Sequence, residues 1–213
     1  MYRAISIIAF VITLGGVGLN CILRPCRECW RHPVKKLVQL FTLLFIEQKL
    51  SPAEVFRKLV YLLALLCFVV LAITGFYPTI VTGEHISGYL LMIHATFAPI
   101  FAITLAILAV MWSGHCRFTG GDWPWFGRLV QRVTLAKSAE QQVKNESCLG
   151  QRITFWLIIF LALPLILSII LSMFPYFGTY WQELLLDIHR YTALVFALTV
   201  TIHTYLLVRM KVK

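Results

Sequence analysis

The sequence predicts an all-α membrane protein: five transmembrane helices, four of them forming a bundle and the first standing as an extra N-terminal helix. Three observations predict it. Of the 213 residues, 60% are hydrophobic and only 13% charged, whereas soluble domains run near half and a quarter. The apolar residues collect into five runs, each close to the length that crosses a hydrocarbon core of roughly 30 Å as a helix. None of the runs alternates with period two, so barrel strands are excluded and helices remain as the way to satisfy the backbone in lipid.

The first run spans residues 4–23. Arg3 precedes it and "GGVG" ends it, a pattern open to a secretory signal. The following "GLNC" is not an Ala-x-Ala-like cleavage site, so a retained helix is expected. The stretch 34–50, "VKKLVQLFTLLFIEQKL", is apolar for only about ten residues between charges. It reads as an amphipathic helix lying in the interface. The second and third runs are 59–76 and 88–112. Between the third and fourth, "GGDWPWFG" (120–127) reads as a surface turn with tryptophans at the headgroups. The fourth and fifth runs are 153–174 and 188–208. This divides the chain into an N-terminal helix with its interfacial segment (1–58) and a four-helix domain (59–213).

The net charge of +10 does not point to nucleic acid, because of where the charges lie. Arg24, Arg27, Arg31, Lys35, Lys36, Lys49, Arg57 and Lys58 fall between runs one and two. Arg117, Arg128, Arg132, Lys137, Lys144 and Arg152 fall between runs three and four, and Arg209, Lys211 and Lys213 follow run five. The loops 77–87 and 175–187 hold no basic residue, but do hold Glu84, Glu183 and Asp187. By the positive-inside rule the basic loops and the C-terminus face the cytoplasm, and the N-terminus faces outward. The basic residues mark topology and contact with anionic lipid.

The fifth run carries His189 and His203, fourteen residues apart. That is about 21 Å of helix, and the rotation falls only about 40° short of four full turns. The two imidazoles therefore point to nearly one side at two depths. An ionisable group in a membrane helix is costly and turns inward to a partner. Hydrogen bonds to neighbouring carbonyls are one such partnership. His94 supplies another: it lies about one and a half turns into the third run, which shares the fifth run's direction. His189 sits at the same depth if the fifth helix begins near Trp181. Two imidazoles facing each other across a bundle suit a haem iron. Arg190 either pairs with haem propionates or snorkels to the interface.

Residues 55–213 resemble the γ subunit of membrane-bound formate dehydrogenases, related to the cytochrome b of nickel-iron hydrogenases. The resemblance runs through "LLALLCFVVLAITGFYPTI", "LLMIHATFAPIFAITLAIL", "DWPWFGRLV", "CLGQRITFW", "FPYFGTYW" and "LLLDIHRYTALVFALTVTIHTYLL". It implies two b-type haems passing electrons between a partner redox enzyme and the quinone pool, menaquinone or ubiquinone. It matches His94 and His189 to the outer-haem ligands and His203 to one inner-haem ligand. The family's other inner ligand falls at Tyr61, a rarer choice for iron. His32 and His115 lie in the inner loops and match no ligand position. The family's quinone-contacting Asn-Gly-Gln region corresponds to Cys148, Gly150 and Gln151, with cysteine in the asparagine's place. If no inner haem exists, His203 instead has the depth to hydrogen-bond a quinone. The implied setting is the cytoplasmic membrane of a bacterium or archaeon. The implied partners are a periplasmic or membrane-attached dehydrogenase or reductase, or a multihaem cytochrome.

Cys26 and Cys29 form a CxxC that lacks the histidine of covalent haem attachment. With Cys116 and Cys148 they lie on the reducing side, where disulfides are not expected. They are either free thiols or a cytoplasmic metal site for zinc or iron-sulfur. Cys67 reads as a packing residue. The competing functional reading is a haem-free membrane anchor or assembly subunit whose histidines only hydrogen-bond.

Overall fold

A computed structural model describes residues 2–23, 52–114, 116, 139–174 and 178–211, the side chains of 21, 23, 139–149 and 208–211 excepted. Among them are five long helices and no strand: α1 (Tyr2–Leu23), α2 (Pro52–Tyr77), α3 (Gly88–Ser113), α4 (Ala139–Met173) and α5 (Thr179–Lys211). All five are long and apolar enough to cross a membrane, over Tyr2–Asn20, Pro52–Thr82, Gly88–Ser113, Gly150–Met173 and Thr179–Leu207. The interfacial segment 34–50 and the turn 120–127 lie outside the described residues.

The observed helices overrun the apolar runs. α5 begins at Thr179, nine residues before its apolar run and close to the Trp181 start that the depth match requires. α4 begins at Ala139, so a polar first third of the helix precedes the span. The reason is general: hydropathy marks the lipid core, while helical hydrogen bonding continues through the headgroups as long as the local sequence tolerates it.

α2 continues into a π-helical turn, Pro78–Thr82. Gly83 ends it in the left-handed region (φ 80°), where its N–H reaches the Pro78 carbonyl at 2.8 Å. Thr82 Oγ1 donates to the same carbonyl at 2.7 Å. Arg3 of α1 covers the next orphan acceptors, donating from Nε to Ile80 O (3.0 Å) and from Nη2 to Val81 O (3.3 Å). A cation at a helix C-terminus also complements the helix dipole. Near it, the Tyr2 hydroxyl donates to Arg190 O (3.0 Å), its ring meets Tyr191 edge-on, and Phe10 packs edge-on against Phe76. α1 is thus docked through its N-terminal end.

The other four helices form two antiparallel hairpins, α2–α3 and α4–α5, with the closest backbone approach inside each hairpin. Between the hairpins the contact is carried by side chains. Cys67, Phe101, Ile158, Ala162 and Phe196 form the buried cluster, one or more from each helix. Phe68, Phe101 and Phe196 make a three-ring group with centroids 5.9–6.3 Å apart. Large apolar side chains such as Ile103, Val110, Phe160 and Leu163 are exposed, as expected where the solvent is lipid.

Candidate functional site

The three membrane histidines share one hydrogen-bonding device. His189 Nδ1 lies 2.9 Å from Leu165 O in α4. A carbonyl only accepts, so the proton sits on Nδ1 and Nε2 keeps its lone pair. His94 Nδ1 lies 2.9 Å from Thr74 Oγ1 in α2, and that hydroxyl lies 2.8 Å from Val70 O. One hydroxyl proton must serve one of these contacts. If it went to the imidazole, two oxygens would face each other at 2.8 Å with no proton between them. The hydroxyl therefore donates to Val70 O and accepts from His94 Nδ1–H. His203 repeats the pattern in the C-terminal half of α5: Nδ1 lies 2.7 Å from Thr154 Oγ1, which is 2.8 Å from Gly150 O. All three histidines carry Nδ1–H and an Nε2 lone pair, the form that ligates a metal, with the orienting partner that such ligands use.

Their placement pairs two of them. His94 and His189 come from different hairpins and lie within electrostatic reach of each other. Gly75 lets α2 close onto this site, since a Cβ there would stand 3.3 Å from His94 Cε1. Among the described residues no three His, Cys, Asp or Glu side chains gather as a metal set. Two neutral imidazoles on different helices are the ligand type that haem iron takes, since the haem brings its own four equatorial nitrogens. They do not fit a tetrahedral zinc site.

In this arrangement the matching family is decisive: the model of the prokaryotic cytochrome b561 family, the nickel-iron hydrogenase cytochrome b type, matches residues 48–213. The chain belongs to that family. It is an integral membrane cytochrome of the b type, built for electron transfer with redox partners. No curated protein and no solved structure matches it.

Other sequence-derived candidates fall around the cytochrome's two ends. Arg190 contacts His85 Nδ1 through Nη2 and Asp187 Oδ1 through Nη1 at 3.5 Å, beside the turn between α2 and α3. Tyr61 and His203 line one cavity, at the opposite end of the bundle from His94 and His189. Gln151 Nε2 donates to Leu206 O at 3.2 Å, and Gly150 approaches the Leu206 side chain. Thr154 joins this end of α4 to His203. Cys26, Cys29, His32 and His115, and the Cys148 side chain, lie outside the described residues. Cys116 is half-buried, and its carbonyl accepts from Trp156 Nε1 at 3.0 Å. Burial pushes its thiol up, opposed by the Arg152 charge. Sequence reasoning missed Thr74, Thr154 and the Leu165 carbonyl. The signal was faint: Thr74 lies three residues before the end of α2 and Thr154 fifteen residues after the start of α4, with no pattern tying either to a histidine on another helix.

Proposed function

We propose that this cytochrome carries electrons between a redox enzyme at the outer face of the membrane and the quinone pool, through haem held between its two hairpins. The single observation that carries the reading is the shared imidazole form, with Nδ1–H bonded and the Nε2 lone pair free for iron. His94 and His189 would hold the outer haem, and Arg190 would meet its propionates. Bound haem supplies a one-electron couple, the chemistry no side chain here provides. The protein's own part is to orient the two imidazoles, exclude water with apolar walls and fix the ligand basicity through Thr74 and Leu165 O.

On this reading the N-terminus is outside and the C-terminus cytoplasmic, in a bacterial or archaeal inner membrane. Residues 1–58 form an appended segment to the 59–213 haem domain. The outer partner is a dehydrogenase, a reductase or a multihaem cytochrome. Menaquinone or ubiquinone would bind near the inner end of α4, at Cys148, Gly150 and Gln151. Gln151 commits Nε2 to Leu206 O, leaving Oε1 to accept from a quinol hydroxyl.

The test is the visible spectrum and haem content of the purified protein. A bis-imidazole spectrum that disappears in part or whole in His94→Ala and in His189→Ala supports the assignment. Full haem content in both variants overturns it. No haem at all in the wild type leaves the haem-free anchor.

A further inference from the structure

We propose, resting on the reading of His94 and His189 as haem ligands, that Tyr2 and Arg3 staple the two hairpins together and set the spacing and orientation of that pair. Both are positioning residues, and both lie in α1, outside the residues 48–213 that match the family. The two imidazoles come from different hairpins. Between the hairpins the contact is made by side chains, not by close backbone approach. A tie across the hairpins beside these histidines therefore governs how the two rings stand to each other.

Tyr2 holds one hairpin. Its hydroxyl donates to Arg190 O (3.0 Å), the residue after His189, and its ring meets Tyr191 edge-on with centroids 5.2 Å apart. A carbonyl has two lone pairs, so the hydroxyl adds to this turn of α5 without displacing a helical bond.

Arg3 holds the other. Its fork takes the carbonyls of Ile80 and Val81 in the turn after α2, a two-point grip that a lysine could not reproduce. From the same turn Thr79 Oγ1 donates back to Gly75 O (3.4 Å). Gly75 is where a Cβ would stand 3.3 Å from the His94 ring. About two turns along α1 from Tyr2, Phe10 packs edge-on against Phe76, the next residue in the chain.

These contacts lie in the first half of α1. Ser6 is fully buried among them, its hydroxyl bonded to Tyr2 O (2.9 Å). By contrast Ile8, Val11, Ile12 and Leu14 are more than half exposed, and a Cβ on Gly15, Gly16 or Gly18 would meet nothing within 4 Å. A helix kept for burial alone would press an apolar stripe on the bundle along its length. α1 grips it instead beside the segments that carry His94 and His189.

The experiment uses the full chain in detergent, with haem as the probe. The readouts are haem affinity and the electron paramagnetic resonance signal of the oxidised low-spin haem that His94→Ala removes. The position of that signal reports the relative orientation of the two imidazole planes. Tyr2→Phe/Arg3→Met should shift and broaden it and weaken haem binding at this pair about tenfold, the low end of what losing an orienting partner costs. Tyr2→Phe/Arg3→Lys, which restores one donor, should lie between the double variant and the wild type. An unchanged signal and affinity in the double variant overturns the proposal and makes α1 a membrane helix only. A lower haem content with the signal of the remaining haem unmoved is a loss of stability alone, and also overturns it. Absence of haem from the wild type overturns the ligand reading itself. If the double variant is not recovered, Tyr2→Phe, which removes one oxygen atom, decides by the same signal.

Discussion

A hydroxyl beside an imidazole decides which nitrogen can meet a metal. Thr74 and Thr154 each return their own proton to a carbonyl one turn back, which makes them acceptors for the histidine. Losing such an orienting partner costs 10–100-fold in metal affinity in typical sites. Thr74→Val should weaken haem binding at His94 by about that factor, read by haem titration into the apoprotein, while Thr74→Ser should bind like the wild type. Equal affinity in Thr74→Val would show that the hydroxyl does not orient the ring. The histidines themselves were legible in the sequence, because an imidazole among leucines is expensive and demands a reason. Their partners were not. A threonine in a membrane helix satisfies itself by bonding its own turn, and that behaviour looks the same whether or not a histidine leans on it.

The two hairpins depend on glycines in different ways. At Gly75 an added Cβ meets the His94 ring at 3.3 Å, and that ring is held by Thr74. At Gly150 an added Cβ meets the tip of Leu206 at the same distance, a side chain free to swing. Gly75→Val should therefore disturb the haem spectrum, and Gly150→Ala should leave it as it is; the reverse ranking would refute the packing described for α2 and α3. The turn after α2 is a third case. Gly83 has φ 80° and lies under Arg3. An alanine there should cost about 1–2 kcal/mol from the left-handed backbone alone, seen as a lower unfolding midpoint in detergent. The spans were readable from apolar length, and the fifth helix's depth match from the position of Trp181. The π-helical turn was not readable. What stabilises it is Arg3, some 77 residues away in sequence, and local pattern carries no trace of that contact.

Across the whole molecule, the charge asymmetry of the sequence predicts an orientation, with the N-terminus outside. With native cysteines removed, an impermeant thiol reagent added outside should label Thr179→Cys and not Arg128→Cys. The opposite result would invert the protein in the membrane, and with it the outer and inner sites. Between those sites stand Phe68, Phe101 and Phe196, with Phe196 seven residues from His189 and seven from His203. The buried hydroxyls of Thr104, Ser168 and Thr199 all bond carbonyls of their own helices. Neither rings nor committed hydroxyls can thread a file of water. On the proposed reading, the middle of the bundle would work as the dielectric of a capacitor: it would let an electron tunnel and stop a proton from following. Each electron that crossed it would displace an uncompensated charge, worth about 2.3 kcal/mol for every 100 mV of membrane potential. The cytochrome would then add to or draw on that potential directly, by where its aromatic rings sit.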